Sequence, residues 1–303
     1  MGRRLIECVP NFSEGRDPSI ISALKATVCS VDGVYLLHST SDPDHNRTVL
    51  TFVGEPPAAS EAAFRGVAKA VELIDLTRQS GAHPRIGAAD VVPLVPLEGI
   101  TLAECATLAT ALGERIWSEL GVPVYLYESA ARMPDRRNLE SIREGGFERL
   151  RDEVRTNPLR KPDLGQAELH PTAGATVVGA RKLLVAFNIL LDTADVAMAR
   201  RIARTIRTSS GGLPCVKAMG VRLASRNLAQ VSINLTDFEI TSPQRVFDAV
   251  STEAASEGVA IRSSEIIGLI PQEALSPGPE YLKCENFSPG LILENRLATI
   301  EWK

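Results

Sequence analysis

Apolar residues along the first half of the chain follow two spacings in turn. Short apolar runs are typical of strands, whereas apolar residues at roughly every third or fourth position are typical of amphipathic helices. Strands are predicted at 4–9, 34–37, 48–53 and 91–96, with helices at 17–28 and 64–74 between them. A polar loop is expected at 39–47. The resulting order is βαββαβ, the ferredoxin-like arrangement.

One further helix and one further strand extend this first half. Thr101 and Glu104 form a capping-box pattern that predicts the start of the helix. Gly121 predicts its end. A short strand is expected next, at 124–127.

A charged segment separates the two halves of the chain. Residues 132–172 are rich in Arg, Glu and Pro and have little strand character, as is typical of connections. The βαββαβ order then returns, with strands at 183–191, 216–223, 229–235 and 259–266 and helices near 199–206 and 242–250. We therefore predict an α+β fold with two subdomains, residues 1–172 and residues 173–303, the second including a C-terminal extension.

Composition and charge argue against several classes of protein. The 303 residues are 44% hydrophobic and 23% charged, as in ordinary globular domains. The apolar runs fall short of the ~20 residues that span a bilayer, and the N-terminus has no signal-peptide pattern. A net charge of -4 argues against a general nucleic-acid binder. We expect a cytoplasmic protein with no membrane or nucleic-acid partner.

The cysteines indicate neither a disulfide framework nor a metal site. Five cysteines are present, and they are scattered without a zinc-ligand spacing. No recognised pattern of histidines and carboxylates indicates another metal. We therefore expect reduced thiols and no bound metal.

Histidine is scarce, and one histidine lies in a loop suited to chemistry. Imidazole has a pKa of about 6.5, which suits proton transfer near neutral pH. His83 lies in the loop 80–88, whose glycines allow a ligand to approach the backbone closely. Pro84 restricts His83 to an extended backbone, and Arg85 could hold a carboxylate. The alternative interpretation is that His83 caps a turn.

A second polar cluster precedes the third predicted strand. Residues 41–47 bring two carboxylates, an imidazole, an amide and a guanidinium into one short stretch. The same residue types are good turn formers. A binding role and a purely structural role both stay open for this cluster.

Six segments of the chain resemble the glutamate formiminotransferase family. They are residues 6–15, 46–54, 81–90, 123–127, 174–181 and 229–235. The resemblance runs from residue 5 to about residue 275, so it covers nearly the whole chain.

The resemblance implies a fold, a reaction and partners. It implies two ferredoxin-like subdomains around a groove for tetrahydrofolate, in a homodimer. The implied reaction transfers the formimino group from N-formimino-L-glutamate to tetrahydrofolate and gives 5-formiminotetrahydrofolate and glutamate, in histidine degradation and one-carbon metabolism. Tetrahydrofolate is then a co-substrate, and no metal is required. Because the sequence ends at Lys303, any cyclodeaminase step is expected from a separate protein.

The resemblance also implies a catalytic residue. The family's catalytic histidine lies in a Gly-x-His-Pro-Arg motif, which maps onto His83. One imidazole can take the proton from folate N5 and return it to the departing glutamate nitrogen. The residues that we predict to bind substrate or folate are Asn11, Asp44, His45, Asn46, Arg47, Arg85, Gly87, Arg181 and Lys217.

Two positions depart from the family pattern. Gln79 stands where a histidine is common, and Thr40 stands where an aspartate can support the catalytic histidine, with His38 nearby. A different support would change the tautomer and basicity of the imidazole. Two alternatives therefore stay open: a transferase that uses a formylated donor or 5-formyltetrahydrofolate, and a folate-binding protein with little catalysis.

Overall fold

Strand pairing divides the described residues, 2–302, between two separate sheets in this computed structural model. The first unit contains the residues up to Arg181 together with Trp302, and the second is Lys182–Glu301. The predicted mixture of helices and strands, arranged around two sheets, is confirmed.

The first unit contains one sheet of seven strands. They are β1 (Leu5–Cys8), β2 (Asn11–Phe12), β3 (Val34–Asp42), β4 (Arg47–Gly54), β5 (Ala89–Glu98), β6 (Val124–Glu128) and β7 (Thr176–Ala180). Both β1 and β2 lie between β4 and β5, and β3 extends the sheet beyond β4. On the other side, β7 lies between β5 and β6 and runs parallel to both.

Five helices accompany this sheet. They are α1 (Pro18–Cys29), α2 (Pro56–Leu73), α3 (Leu102–Leu120), α4 (Leu139–Arg143) and α5 (Gly146–Glu153). The predicted capping box at Thr101 and Glu104 opens α3, and Gly121 closes it with a φ of 66°. Apolar residues of the helices and of the sheet share one core, in which Phe52 and Val67 are fully buried.

The predicted loop at 39–47 is shorter than expected, because β3 continues to Asp42. Ser41 and Thr48 face each other across the hairpin, with their hydroxyl oxygens 2.9 Å apart. The carboxylate of Asp42 then accepts a hydrogen bond of 2.8 Å from the backbone N–H of His45. These two contacts reduce the loop to a tight turn between β3 and β4, in which Asn46 has a φ of 49°.

The charged segment at 132–172 folds against the first unit. A buried ion pair between Arg136 and Asp163, at 2.5 Å, joins two parts of the segment, and Asp163 also accepts a hydrogen bond of 2.8 Å from the N–H of Leu126 in β6. The strand that follows, β7, pairs in parallel with β5, from Val91 opposite Val177 onward. The first unit therefore continues to Arg181, past the boundary at 172/173 that we placed from the sequence.

The second unit repeats the βαββαβ order with a simpler sheet. Its elements are β8 (Val185–Leu191), α6 (Val196–Ile206), β9 (Val216–Leu223), β10 (Leu228–Leu235), α7 (Pro243–Ser256), β11 (Ile261–Ile267) and α8 (Leu293–Ala298). The four strands are antiparallel in the order β11-β8-β10-β9. Alternate residues of β8 and β10, such as Phe187 and Val231, are fully buried in one core with the apolar faces of α6 and α7.

No helix within residues 2–302 is long and apolar enough to cross a membrane.

Candidate acid/base site

Two histidines from different loops lie side by side in the first unit. His45 belongs to the turn between β3 and β4, and His83 belongs to the loop between α2 and β5. Their ring centroids are 5.9 Å apart. The structure thus brings together the two polar loops that the sequence had indicated separately.

Close backbone contact holds these two loops together. The N–H of Ala82 donates a hydrogen bond of 3.0 Å to the carbonyl of Asp44. A Cβ atom at Gly81 would overlap the carbonyl oxygen of His45. The loop that carries His83 can therefore dock on the turn only because residue 81 is glycine.

Amide and carboxylate side chains connect the loops to the segment after β2. The carboxylate of Glu14 accepts a hydrogen bond of 2.7 Å from Nε2 of Gln79. Oε1 of Gln79 accepts from the amide of Asn46, and Oδ1 of Asn46 accepts from the N–H of Gly15 at 2.9 Å. Glu14 and Asn46 are buried, so this network fixes the turn and the loop at once. Gln79, the departure from the family pattern, is one of its links.

A fully buried carboxylate lies behind the loops. Asp90, at the start of β5, is 0% exposed. Its Oδ2 atom accepts from Nη1 of Arg47 at 2.9 Å and from Nη2 of Arg143 at 2.5 Å. Its Oδ1 atom accepts from the N–H of Ile86 at 2.8 Å. Arg47 also donates from Nε to the side-chain carbonyl of Asn11, at 2.9 Å.

The two guanidinium groups keep Asp90 ionised. Burial by itself raises the pKa of Asp90, but the charges of Arg143 and Arg47 outweigh it and hold the pKa below its usual range. Burial and the like charge of Arg143 lower the pKa of Arg47 to about 10. Asp90 and Arg47 are therefore both charged near neutral pH, and together with the guanidinium of Arg143 the three side chains carry a net charge of one.

His83 is half-buried, and its ring has a fixed direction. Nδ1 lies 2.8 Å from the carbonyl oxygen of Pro84, which can only accept a hydrogen bond. Nδ1 therefore carries the proton, and Nε2 presents its lone pair. Burial, followed by the charges of Arg47 and Arg143, holds the pKa of His83 well below its usual range. The imidazole is neutral near pH 7 and ready to accept a proton.

Arg85 supports the loop from within. Its Nη2 group donates to the backbone carbonyls of Gln79 and Leu76, the latter at 3.3 Å. The same group lies 3.1 Å from the carboxylate of Glu148. These contacts close the loop 76–85 around the guanidinium.

Gly87 lies where the loop meets β5 and the segment before β7. Its carbonyl accepts a hydrogen bond of 2.6 Å from the hydroxyl of Ser13. A Cβ atom there would overlap the carbonyl oxygen of Ala175. Its role in the structure is to permit this close approach.

A further buried carboxylate, Glu7, lies in β1 between β4 and β5. Burial raises the pKa of Glu7, in β1, to about 7, against the opposing charge of Arg181. Arg181 also hydrogen-bonds the side chain of Tyr127, whose pKa burial raises to about 12. The charges of Arg181 and Arg143 both oppose this rise in the pKa of Tyr127. The charge of Arg181 thus acts on two buried acidic groups of the first unit, Glu7 and Tyr127.

The predicted residues divide into two groups by position. Asn11, Asp44, His45, Asn46, Arg47, His83, Arg85, Gly87 and Arg181 all lie in the first unit. Lys217 lies in β9 of the second unit, opposite Asn234.

Four residues of the site were not among our predictions. They are Glu14, Gln79, Asp90 and Arg143. Asp90 ends one of the segments that carry the resemblance, so a charged residue at the start of an apolar strand was an available signal. Arg143 lies in the charged connecting segment and had no such signal. Within residues 2–302, no group of three or more His, Cys, Asp or Glu side chains could hold a metal ion.

The fold and the site define a class of protein before any comparison. A neutral imidazole with a fixed tautomer, beside a cluster with net positive charge, is suited to moving protons on an anionic substrate. These features suit an enzyme of mixed α and β structure.

Comparison with known proteins identifies the family. Residues 5–181 match the model of the formiminotransferase domain, N-terminal subdomain, and residues 186–296 match that of the formiminotransferase domain. The chain therefore belongs to the formiminotransferase family.

Similar proteins carry consistent names. The chain is 46% identical to a glutamate formimidoyltransferase of Streptococcus pyogenes serotype M1, over 97% of this chain and 99% of that protein. It is 43% identical to a glutamate formimidoyltransferase of Thermoplasma acidophilum, over 97% of each. It is 44% identical to the formimidoyltransferase-cyclodeaminase of Sus scrofa, over 90% of this chain but only 51% of that protein.

Proposed function

We propose that this protein is an enzyme that transfers the formimino group from N-formimino-L-glutamate to tetrahydrofolate. The products are 5-formiminotetrahydrofolate and glutamate. The similarity to glutamate formimidoyltransferases along almost their whole length supports the reaction. The observation that carries the mechanism is the imidazole of His83, neutral and with Nε2 as its basic atom.

His83 serves as both base and acid. Folate N5 attacks the amidine carbon of the donor and forms the new N–C bond, and Nε2 of His83 takes the proton that N5 loses. The same proton then passes to the glutamate nitrogen, the old C–N bond breaks, and glutamate leaves. A base with a depressed pKa is deprotonated before each turnover, as this sequence requires.

Polar side chains around His83 orient the substrates. In this proposal Asn11, Asp44, His45, Asn46 and Arg47 line the binding site in the first unit, and Arg47 attracts carboxylates. Both substrates are anionic, and Arg181 serves as a further cationic anchor in the first unit. Arg85 acts by closing the loop of His83, and Lys217 of the second unit stays a prediction from the sequence. Gly87 supports the site indirectly, because it lets the loop of His83 pack against the backbone of Ala175.

The finer architecture and setting are part of the same proposal. Each half forms a ferredoxin-like subdomain, the chain has a groove for tetrahydrofolate, and the enzyme acts as a cytoplasmic homodimer. The βαββαβ order of the second unit, with strand order β11-β8-β10-β9, supports the ferredoxin-like assignment. Tetrahydrofolate is a co-substrate, and the chemistry needs no metal.

Product analysis tests the proposed reaction. Purified protein is mixed with tetrahydrofolate and either formiminoglutamate or formylglutamate, and 5-formiminotetrahydrofolate, 5-formyltetrahydrofolate and glutamate are quantified. We expect stoichiometric glutamate and 5-formiminotetrahydrofolate from the first donor. Turnover only with the formylated donor would assign the alternative transferase. Folate binding without product from either donor would indicate a binding protein.

A further inference from the structure

Arg143 has few partners for a guanidinium in this position. It ends the short helix α4, and its side chain is 11% exposed. Nη2 donates to Asp90 at 2.5 Å, whereas Nε is buried and has no hydrogen-bond partner among the described residues. A buried N–H group without an acceptor is rare in native structures and is often completed by a ligand or a water molecule.

Among the ion pairs of the described residues, the two guanidinium charges of Arg143 and Arg47 share one carboxylate. Asp90 is shared by Arg143 and Arg47, so the cluster keeps one positive charge in a largely buried position. The charges of both arginines lower the pKa of His83, and the ring of His45 lies beside that of His83. A desolvated net charge is unfavourable unless it is paired, and an incoming anion would pair it.

The other arginines of the site have less capacity for a ligand. Arg47 uses Nε for Asn11 and Nη1 for Asp90. Nε of Arg85 is also buried without a partner, but its Nη2 group is enclosed by the loop carbonyls and by Glu148. Within the pair of arginines that share Asp90, Arg143 is the one with more unused donors among the described residues.

We propose that Arg143 binds the α-carboxylate of the formimino donor and so determines the specificity for an α-amino-acid leaving group. The inference rests on the proposed function. In formiminoglutamate the α-carboxylate is attached to the carbon that bears the reacting nitrogen. The group that protonates this nitrogen, His83, must then lie close to whichever cation holds the carboxylate. The carboxylates of the folate tail are separated from N5 by the p-aminobenzoyl group and do not meet this requirement.

A pair of donors and a set of variants test the assignment. Formiminoglutamate is compared with N-formimino-4-aminobutyrate, which lacks only the α-carboxylate, in the wild type, Arg143→Met and Arg143→Lys. Arg137→Met is the matched control, because Arg137 is an exposed arginine of the same segment. We expect kcat/KM of the wild type to favour formiminoglutamate by about 10- to 100-fold, the scale of a charge-assisted hydrogen bond. Arg143→Met should abolish most of this preference, Arg143→Lys should keep part of it, and the control should keep all of it.

Equal losses with both donors would overturn the assignment and leave Arg143 as a partner of Asp90 only. A preference for tetrahydrofolate over tetrahydropteroate that is lost in Arg143→Met would also overturn it, because it would give the site to the folate tail. The titration of the His83 ring by NMR adds an independent readout. Removal of one positive charge should raise its pKa in Arg143→Met.

Binding of L-glutamate by calorimetry separates this inference from the proposed function. Weaker glutamate binding in Arg143→Met than in Arg137→Met supports the α-carboxylate site even if neither donor turns over, in which case only the proposed reaction fails. Equal glutamate binding by the two variants would overturn the site.

Discussion

The two units have similar cores but bury different polar groups. Among the described residues, the buried polar side chains of the second unit are all uncharged: Asn188, Gln230, Thr241, Ser263 and Ser264. The first unit buries five charged residues: Glu7, Glu14, Arg47, Asp90 and Arg136. Burial of charge is costly unless it is paired and hydrogen-bonded. Charge that is retained beside a perturbed imidazole therefore indicates function rather than stability.

One buried ion pair shows the limit of this comparison. Arg136 and Asp163 are both almost fully buried, and Arg136 also donates to the carbonyls of Leu159 and Lys161. Asp163 accepts from the N–H of Leu126. Each charge is matched and no histidine is part of this cluster, so the pair fixes the connecting segment. The cluster at Asp90 differs because its cations outnumber its carboxylates.

Neutralising Asp90 should have the largest effect on stability and activity, because it removes the carboxylate that pairs with two arginines in the first unit. Asp90→Asn leaves Arg47 and Arg143 as two buried like charges with no anion between them. We expect a loss of about 3 kcal/mol or more in the free energy of unfolding, together with a large loss of activity. Urea denaturation near neutral pH gives the first quantity, and the transferase assay gives the second.

The matched control is Glu265→Gln, which neutralises a carboxylate in the second unit. Glu265 accepts hydrogen bonds from Asn188 at 3.2 Å and from Gln230 at 2.9 Å. Glu265→Gln can still accept, so we expect a loss of only about 1 kcal/mol. Equal losses for the two variants would show that the carboxylate at Asp90 has no special electrostatic task.

Gly81→Ala should separate the loop of His83 from the turn of His45. The added Cβ would overlap the carbonyl oxygen of His45, so the loop must shift and displace the imidazole. A loss of activity of roughly 10- to 100-fold is expected from a small misplacement of catalytic groups, with a modest change in melting temperature. Gly290→Ala, where the added Cβ would meet only ordinary contacts, should leave both unchanged. Full activity in Gly81→Ala would refute the docking of the two loops.

Glu7 should give the first unit a characteristic dependence of stability on pH. Its folded-state pKa is raised to about 7 from an ordinary value of 4.5. Between these values the folded chain keeps a proton that the unfolded chain has released, so stability falls as the pH rises through this window. The decrease is at most about 3 kcal/mol. Unfolding free energies of the wild type and Glu7→Gln from about pH 4 to pH 8 should diverge over the window, with the variant the more stable at the upper end. Parallel curves would contradict this account of Glu7.

Local signals in the sequence predicted much of the fold. The strand predicted at 216–223 is Val216–Leu223 in the structure, because its apolar residues and the turns on either side are local features of the sequence. The helix predicted at 17–28 is Pro18–Cys29 in the structure, and the carboxylate of Asp17 accepts hydrogen bonds from the N–H groups of Ser19 and Ile20.

Pairing between strands that are distant in the sequence could not be predicted from local signals. β2 consists only of Asn11 and Phe12, and it exists because β4 and β5 pair with it on both sides. β7 joins the first sheet through parallel pairing with distant strands. The loops of His83 and His45 were both recognised, but nothing local shows that they meet. Arg143 reaches Asp90 from 53 positions away, so no spacing in the sequence could have revealed it.

Single-turnover glutamate release with two histidine variants tests the central claim most directly. His83 and His45 lie side by side, but only the Nδ1 of His83 is held by the carbonyl of Pro84. In each reaction formiminoglutamate and tetrahydrofolate are mixed with an excess of enzyme, which is the wild type, His83→Ala or His45→Ala. We predict a loss of ~100-fold or more for His83→Ala, the scale of a lost acid/base group, and a smaller loss for His45→Ala. A larger loss for His45→Ala, or release that is unchanged in His83→Ala, would contradict the assignment of His83 as the acid/base residue.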